Sequence, residues 1–257
     1  MRHSYRAGVA AVAVTIGAPA LAQARPYCAV YAMTGCTMAK GRVAVEGAAI
    51  DWERNDDRGV HTDNIQAARF AIRAGVSDRA ELIAGWTPYV RARVRDAAGR
   101  VATRERTGDV FAGAKLNLAR AAGEGFGMAL LPFVRMPTDG RKAMAGVGLP
   151  MNYDVGRVSL RFVPQVDATP DLDGVGRHPV FTLLGGTRLG VRPNLGVVGN
   201  LWLQRNDDPR GRRTLHFATA ALPWKPNPDF QIEPAATIGL DRRSPDLRLV
   251  LVLMRRL

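Results

Sequence analysis

The chain has 257 residues, 47% of them hydrophobic, with 36 Lys and Arg against 23 Asp and Glu, a formal net charge of +13. This length and apolar content suffice for a folded core and exclude an intrinsically disordered chain. Beyond the N-terminus, every apolar run is interrupted by a charge or a turn signal before it reaches the roughly 18–20 residues of a membrane helix, which excludes a helical membrane bundle.

The N-terminus has the layout of a secretory signal peptide. Arg2 and Arg6 form a positive region, the apolar run Ala7–Ala18 follows, and the small residues of Ala20–Ala24 offer a cleavage site. We therefore predict that residues 1–24 are removed and that the protein is exported. Export argues against nucleic acid as a partner in spite of the positive charge.

The segment 25–40 contains the two cysteines of the chain, Cys28 and Cys36. In an oxidising compartment such a pair forms a disulfide. We predict a Cys28–Cys36 disulfide that staples this N-terminal segment. Two free thiols or half of a metal site are the alternatives, although further metal-ligand types do not stand nearby.

From residue 41 onward, apolar and polar residues alternate with period two, and Gly, Pro, Asn and Asp break the alternation, as is typical of strands. Leu82, Trp86 and Val90, for example, share one face of a segment whose other face carries Glu81 and Arg91. The predicted strands are 41–53, 63–75, 79–95, 107–119, 125–136, 143–154, 157–168, 178–192, 195–205, 213–224, 229–240 and 246–257.

The connections between these strands alternate in length along the chain. Those after the odd strands are mostly longer and charged: Arg54–Thr62, Asp96–Arg106, Pro137–Lys142, Thr169–Arg177, Asn206–Arg212 and Asp241–Pro245. This layout predicts an all-β fold, an antiparallel transmembrane β-barrel of about 12 strands over residues 41–257, with short periplasmic turns and longer extracellular loops. A soluble secreted β-barrel or sandwich that binds a small ligand would also show alternation, because the pattern does not say which face is outside.

Several different short motifs follow one another in order along the chain. They are Cys28 and Cys36 before Lys40-Gly41-Arg42-Val43, then Ala84-Gly85-Trp86-Thr87-Pro88-Tyr89, Gly108-Asp109-Val110, Leu131-Pro132-Phe133-Val134-Arg135-Met136-Pro137-Thr138, Asp173-Gly174-Val175-Gly176-Arg177-His178-Pro179 and Ser244-Pro245-Asp246. With these motifs the chain resembles a family of Gram-negative outer-membrane transporters related to the meta-pathway phenol-degradation proteins. The resemblance implies an exported outer-membrane β-barrel and suggests transport, and it supplies no catalytic motif.

The charged residues on the strands are the candidate functional residues. An Arg or Lys facing lipid at mid-membrane costs roughly 2–4 kcal/mol, so we expect the polar faces to point into the lumen. The predicted lumen-lining or binding residues are Arg69, Arg73, Glu81, Arg91, Arg93, Arg95, Lys115, Arg161, Asp167 and Glu233. They suggest a path for small anionic or aromatic solutes. The alternatives are a structural barrel with a closed, salt-bridged lumen and outer Arg residues that face lipopolysaccharide phosphates.

Catalytic and metal-binding patterns are not evident in the sequence. The nucleophile-elbow motif G-x-S-x-G is missing, and Ser159 and Ser244 have no His at a suggestive position. His178 stands near Asp171 and Asp173, which we interpret as a solvated turn. We predict a monomer that is not an enzyme, has no cofactor and no metal, and has outer-membrane lipid, lipopolysaccharide and a small solute as its partners.

Overall fold

The computed structural model describes residues 34–119 and 124–257. Sixteen β-segments make up one antiparallel sheet. The segments are β1 Val43–Asp57, β2 Val60–Ser77, β3 Ala80–Trp86, β4 Tyr89–Arg95, β5 Val101–Arg106, β6 Val110–Ala119, β7 Gly125–Met136, β8 Met144–Gly148, β9 Met151–Val155, β10 Val158–Pro170, β11 Arg177–Arg192, β12 Leu195–Asn206, β13 Arg213–Ala221, β14 Trp224–Asn227, β15 Phe230–Gly239 and β16 Leu247–Arg256. No helix in the two described ranges is long and apolar enough to cross a membrane.

Several barrel strands consist of two segments separated by a short break. The breaks lie between β3 and β4, β5 and β6, β8 and β9, and β13 and β14, and three of them contain a proline: Pro88, Pro150 and Pro223. Proline has no N–H to give to the ladder, so pairing is interrupted there. Counting each broken pair as one strand gives the predicted antiparallel barrel of 12 strands, which is confirmed.

The sheet closes on itself because β1 pairs with both its sequence neighbour and the last strand. Ala44 lies opposite Arg73 of β2 and opposite Arg256 of β16. Closure satisfies the backbone hydrogen bonds of every barrel strand and leaves no free edge along the wall. A two-sheet sandwich is therefore excluded as the fold.

The turns divide the barrel into a short-turn end and a long-loop end. The short-turn end carries tight turns such as Asp78-Arg79 and Pro193-Asn194, and the long-loop end carries connections such as 171–176 and 207–212. The predicted long connection Arg54–Thr62 is mostly strand, because β1 and β2 continue to a two-residue turn. Both turn residues, Arg58 and Gly59, have positive φ angles of 49° and 79°, as a type I′ hairpin turn requires. Asp96–Arg106 is likewise largely replaced by the hairpin of β4 and β5.

The outer surface is apolar and the interior is polar, the reverse of a soluble protein. Large apolar side chains on the strands are solvent-exposed, among them Leu82 at 55%, Leu160 at 51% and Leu201 at 63%. Charged side chains are enclosed instead: Glu81 and Arg73 are 0% exposed. A continuous apolar exterior of this kind is characteristic of a surface that contacts something other than water.

The residues just before β1 lie inside the barrel at the short-turn end. Gly35 N–H donates to Asn152 Oδ1 at 2.8 Å, Asn117 Nδ2 donates to the Gly35 carbonyl at 2.7 Å, and Met38 N–H donates to Glu81 Oε2 at 2.6 Å. A Cβ on Gly75 would stand 2.1 Å from the Ala39 carbonyl oxygen, so glycine is required for this close approach. Residues 34–40, which we call the inner segment, therefore lie across the inner wall and narrow the lumen.

Two predictions fall outside the described residues in whole or in part. The signal peptide, residues 1–24, lies entirely outside them. The disulfide involves Cys28, which also lies outside, and it stays a prediction. Cys36 lies within the inner segment, and its Sγ is 3.0 Å from Thr34 Oγ1.

Candidate functional site in the barrel lumen

The most deeply enclosed charges form one cluster near the inner segment. Arg73 Nη2 contacts both carboxylate oxygens of Glu81, at 2.6 and 2.8 Å, and Arg73 Nη1 lies 3.3 Å from Glu46 Oε2. Lys115, which is 1% exposed, lies directly opposite Glu81 in the register of β3 and β6. Two carboxylates thus face two cations, and we call this group the Arg73 cluster. Because Glu81 also accepts the Met38 N–H, the cluster holds the inner segment in place.

A second group of charges lies further toward the long-loop end, on β1, β2 and β16. The Asp51 carboxylate accepts hydrogen bonds from Nε and Nη2 of Arg248 at 2.7 and 2.6 Å. Arg69 Nη2 lies 2.9 Å from the same carboxylate. The Arg248–Asp51 pairing is bidentate, the geometry that fixes a guanidinium most firmly. This group joins the strands where the barrel closes.

The wall formed by β9 to β11, β14 and β15 carries charged side chains among which cations outnumber carboxylates. Arg161 and Arg188 each interact electrostatically with Glu233 and Asp154, and Lys225 interacts with Arg188. Three cations therefore face two carboxylates here. We call these five residues the basic wall. In contrast to the Arg73 cluster, Arg188 and Glu233 are only partly buried, so they are accessible from the lumen.

Asp167 also points inward, on β10. Both oxygens of its carboxylate accept a hydrogen bond from Gln165 Nε2 at 3.0 Å. Asp167 is 7% exposed. A Cβ on Gly146 of the neighbouring strand would come within 2.2 Å of Asp167 Oδ1. The glycine thus makes room for the carboxylate against the wall.

The arginine ladder Arg91, Arg93 and Arg95 lies on the outer face of β4, so its assignment to the lumen is corrected. The enclosed positions run through Ile83 and Thr87 and then shift to Val90, which is 5% exposed. The neighbouring strand β2 shifts at the same level, where Ala68 has a positive φ of 55°. A one-residue shift moves every following side chain to the opposite face.

The neighbours of the ladder agree with this outer placement. Arg91 lies opposite Ile65, which in turn lies opposite Trp52. Arg91 Nε is 3.8 Å from Glu105 Oε1, with both side chains about half exposed. Arg93 lies opposite Asp63, whose carboxylate accepts the indole N–H of Trp52 at 3.2 Å. The ladder therefore belongs to an exposed, mixed-charge surface near the long-loop end.

The loops of the long-loop end carry carboxylates whose pKa values are lowered by neighbouring donors. The side chain of His216 holds the pKa of Asp241 well below its usual range, although burial acts in the opposite direction. Arg141 lowers the pKa of Asp139 in the same way, and Arg100 lowers that of Asp96. These carboxylates are ionised at any physiological pH.

The barrel was compared with known sequences and solved structures. The chain matches no protein-family model and no curated protein sequence. Its fold is similar to that of the NanC porin, with a TM-score of 0.55, 9% identity, and coverage of 84% of this chain and all of that one.

Two further solved structures give weaker matches. The KdgM porin, in complex with disordered oligogalacturonate, has a TM-score of 0.48 and 11% identity over 80% of this chain and 97% of that one. OpdK of Pseudomonas aeruginosa, solved with vanillate, has a TM-score of 0.40 and 10% identity over 79% of this chain and 77% of that one. The fold assignment rests on the NanC match and on the closed 12-stranded sheet, which together give the chain the fold of an outer-membrane β-barrel.

Sequence reasoning missed several residues of the lumen. Arg188 and Lys225 lie on strands whose alternation places them inward, and that signal was available. Asp51 and Arg248 are separated by 197 positions, and their pairing follows from closure of the barrel. The contacts of the inner segment are made by backbone N–H and C=O groups, for which the sequence carries no side-chain signal.

Proposed function

We propose that this protein is an outer-membrane β-barrel of a Gram-negative bacterium that passes small solutes, with a preference for anions. The membrane location is supported by the apolar exterior: Leu82, Leu160 and Leu201 face outward at more than half exposure. In a lipid bilayer this surface is buried against acyl chains, whereas in water it would favour aggregation. Outer-membrane lipid and lipopolysaccharide are the surrounding partners in this proposal.

The observation that carries the solute proposal is the basic wall. Arg161, Arg188 and Lys225 outnumber Glu233 and Asp154, and their charges are held in an interior where water is restricted. A lumen with excess fixed positive charge raises the local concentration of anions. The resemblance to transporters related to meta-pathway phenol degradation extends this proposal to aromatic acids as one class of solute.

The inner segment restricts the size of what passes. Residues 34–40 lie against Gly75, Asn117 and Asn152 on the inner wall, so they occupy part of the lumen at the short-turn end. The basic wall lies at the same end, because Asp154 and Arg188 stand close to the short turns Gly156-Arg157 and Pro193-Asn194. Solutes therefore meet these charges beside the inner segment. This arrangement suits small solutes better than oligomers.

The decisive experiment is ion selectivity in planar lipid bilayers. Changing Arg161 and Arg188 together to Gln removes two positive charges from the lumen, and we expect the reversal potential in a salt gradient to move toward cation preference. The matched control changes Arg91 and Arg93 to Gln, which removes two positive charges from the outer face. A selectivity that is unchanged in the lumen variant, or that shifts equally in the control, would refute the anion path.

Conductance itself decides between a channel and a structural barrel. A folded barrel that conducts no ions, together with normal uptake in a deletion strain, would favour the alternative of a structural barrel with a closed lumen. Recovery of the mature protein from the periplasm without detergent would favour the soluble alternative. A mass of one chain in detergent micelles is the expectation for the monomer.

The proposed role is non-enzymatic. The solved structure with a similar fold, NanC, is a porin, and this supports the proposal. Turnover of lipid or ester substrates by the purified barrel would contradict this part of the proposal.

A further inference from the structure

Three side chains from separate parts of the chain converge at the long-loop end. Asp171 follows β10, His178 is near the start of β11, and Asp208 follows β12. His178 Nδ1 lies 2.8 Å from Asp171 Oδ1 and 3.5 Å from Asp208 Oδ2. One ligand-type atom from each residue lies within 4.8 Å of the other two. We call this group the loop triad.

The loop triad is enclosed and rigidly held, unlike a solvated turn. His178 is 5% exposed and Asp208 is 2% exposed. The two oxygens of Asp208 accept the backbone N–H groups of Leu172 at 2.9 Å and Arg210 at 2.8 Å. These bonds orient the carboxylate toward the imidazole, and each oxygen still has a lone pair for a further contact.

The charge balance of the triad calls for a cation. Two carboxylates meet around one imidazole in a space from which water is largely excluded, and such charges are stable only when they are neutralised. The Arg210 guanidinium is shared, because it lies 3.5 Å from Asp173 and also attracts the Asp208 carboxylate, so it offsets only part of the charge of the triad. His178 Nε2 is buried with no hydrogen-bond partner, so the polar contacts of this ring are those to the two carboxylates.

We propose that Asp171, His178 and Asp208 bind one divalent transition-metal ion of the zinc type. The ligand atoms are Asp171 Oδ1, His178 Nδ1 and Asp208 Oδ2, a nitrogen and oxygen donor set that suits zinc, with water completing the coordination. The ion neutralises both carboxylates and ties the loops 171–176 and 207–212 together above the lumen. This site is independent of the proposed transport function and replaces the interpretation of a solvated turn.

The rival arrangement is a proton on His178 shared between the two aspartates. It occupies the same space as the metal, and metal binding distinguishes the two. The folded barrel in detergent micelles is stripped with a chelator and titrated with Zn²⁺ by calorimetry, and with Co²⁺ by visible absorption. We expect one Zn²⁺ per chain and a Co²⁺ spectrum typical of nitrogen and oxygen ligands in a protein site.

Variants locate the binding. Asp208→Asn and His178→Gln each remove one ligand, and we expect at least about a tenfold weaker Zn²⁺ affinity in each. The matched control is His216→Gln, because His216 also contacts one aspartate, Asp241, at 2.8 Å, but its side chain is 51% exposed. It should bind Zn²⁺ as the unaltered protein does.

Three results would overturn the metal site: an unaltered barrel that binds no Zn²⁺, a Co²⁺ spectrum identical to that of the free aqueous ion, or equal weakening in the His216 control. Heat-modifiable gel migration verifies that each variant is folded. If both ligand variants fail to fold, the Zn²⁺ stoichiometry and Co²⁺ spectrum of the unaltered protein still decide the matter.

Discussion

Replacing Arg73 by Met tests what the Arg73 cluster contributes to stability. Met keeps much of the length of the side chain but removes its charge and four contacts, at 2.6, 2.8 and 3.2 Å to Glu81 and 3.3 Å to Glu46. All three side chains are 0% exposed. Removing one partner of a buried ion pair costs about 3–5 kcal/mol, because the other charge is left uncompensated.

The expected loss lies at the lower end of that range. Lys115 lies opposite Glu81 and remains to offset part of the carboxylate charge that Arg73 leaves unpaired. We therefore expect the free energy of unfolding to fall by about 3 kcal/mol. Two carboxylates facing a single Lys also weaken the anchoring of Met38. Arg73→Lys restores a charge without the bidentate geometry and should lie between Met and the unaltered protein.

The assay is a urea titration of the barrel in detergent micelles, followed by gel migration without heating. The control is Arg91→Gln, which removes an exposed arginine 3.8 Å from Glu105 and should cost less than about 1 kcal/mol. If Arg73→Met destabilises the barrel no more than this control does, the Arg73 cluster does not stabilise the fold, and the reasoning from burial fails.

Two further predictions concern the inner segment and the loops. Changing Asn117 and Asn152 together to Ala removes the side-chain contacts to Gly35, at 2.7 and 2.8 Å, and we expect higher or noisier single-channel conductance; an unchanged conductance would mean that the inner segment does not limit flow. The lowered pKa of Asp241 means that its stabilisation is present above the ordinary aspartate pKa of about 3.9 and is lost as the pH falls below it. The Ser244 amide donates to Asp241 Oδ1 at 3.1 Å, so its protection factor against hydrogen exchange should fall as the pH drops below about 4. Asp241→Asn should show low protection throughout, and a pH-independent protection factor in the unaltered protein would contradict the assignment.

The strand number and most strand boundaries follow from the sequence because alternation extends over the whole barrel. A period of two that persists for ten residues is decided by many side chains at once, and single exceptions do not change it. The last strand illustrates this: it was predicted as 246–257 and observed as Leu247–Arg256. The two connections that proved to be hairpins were missed because charged, exposed strand ends resemble loops in composition.

The lumen was less predictable, for two physical reasons. The facing of Arg91 depends on a parity shift between Thr87 and Val90, a local backbone event that leaves the composition of the strand unchanged. Contacts such as Asp208 with His178 depend on which loops meet above the barrel, and this is set by strand order and tilt. Asp171 and His178 could be recognised together as neighbours in sequence, but their third member could not.

The pairing of β1 with β16 has a consequence for how the protein is made. Ala44 meets Arg256, so the first strand must wait for nearly the whole chain before it gains its second partner. Until then β1 and β16 both present unpaired backbone groups to any neighbouring chain, and such long-range pairing forms slowly. The unclosed barrel is therefore open to pairing with other chains, and the closure of β1 on β16 removes both free edges at once.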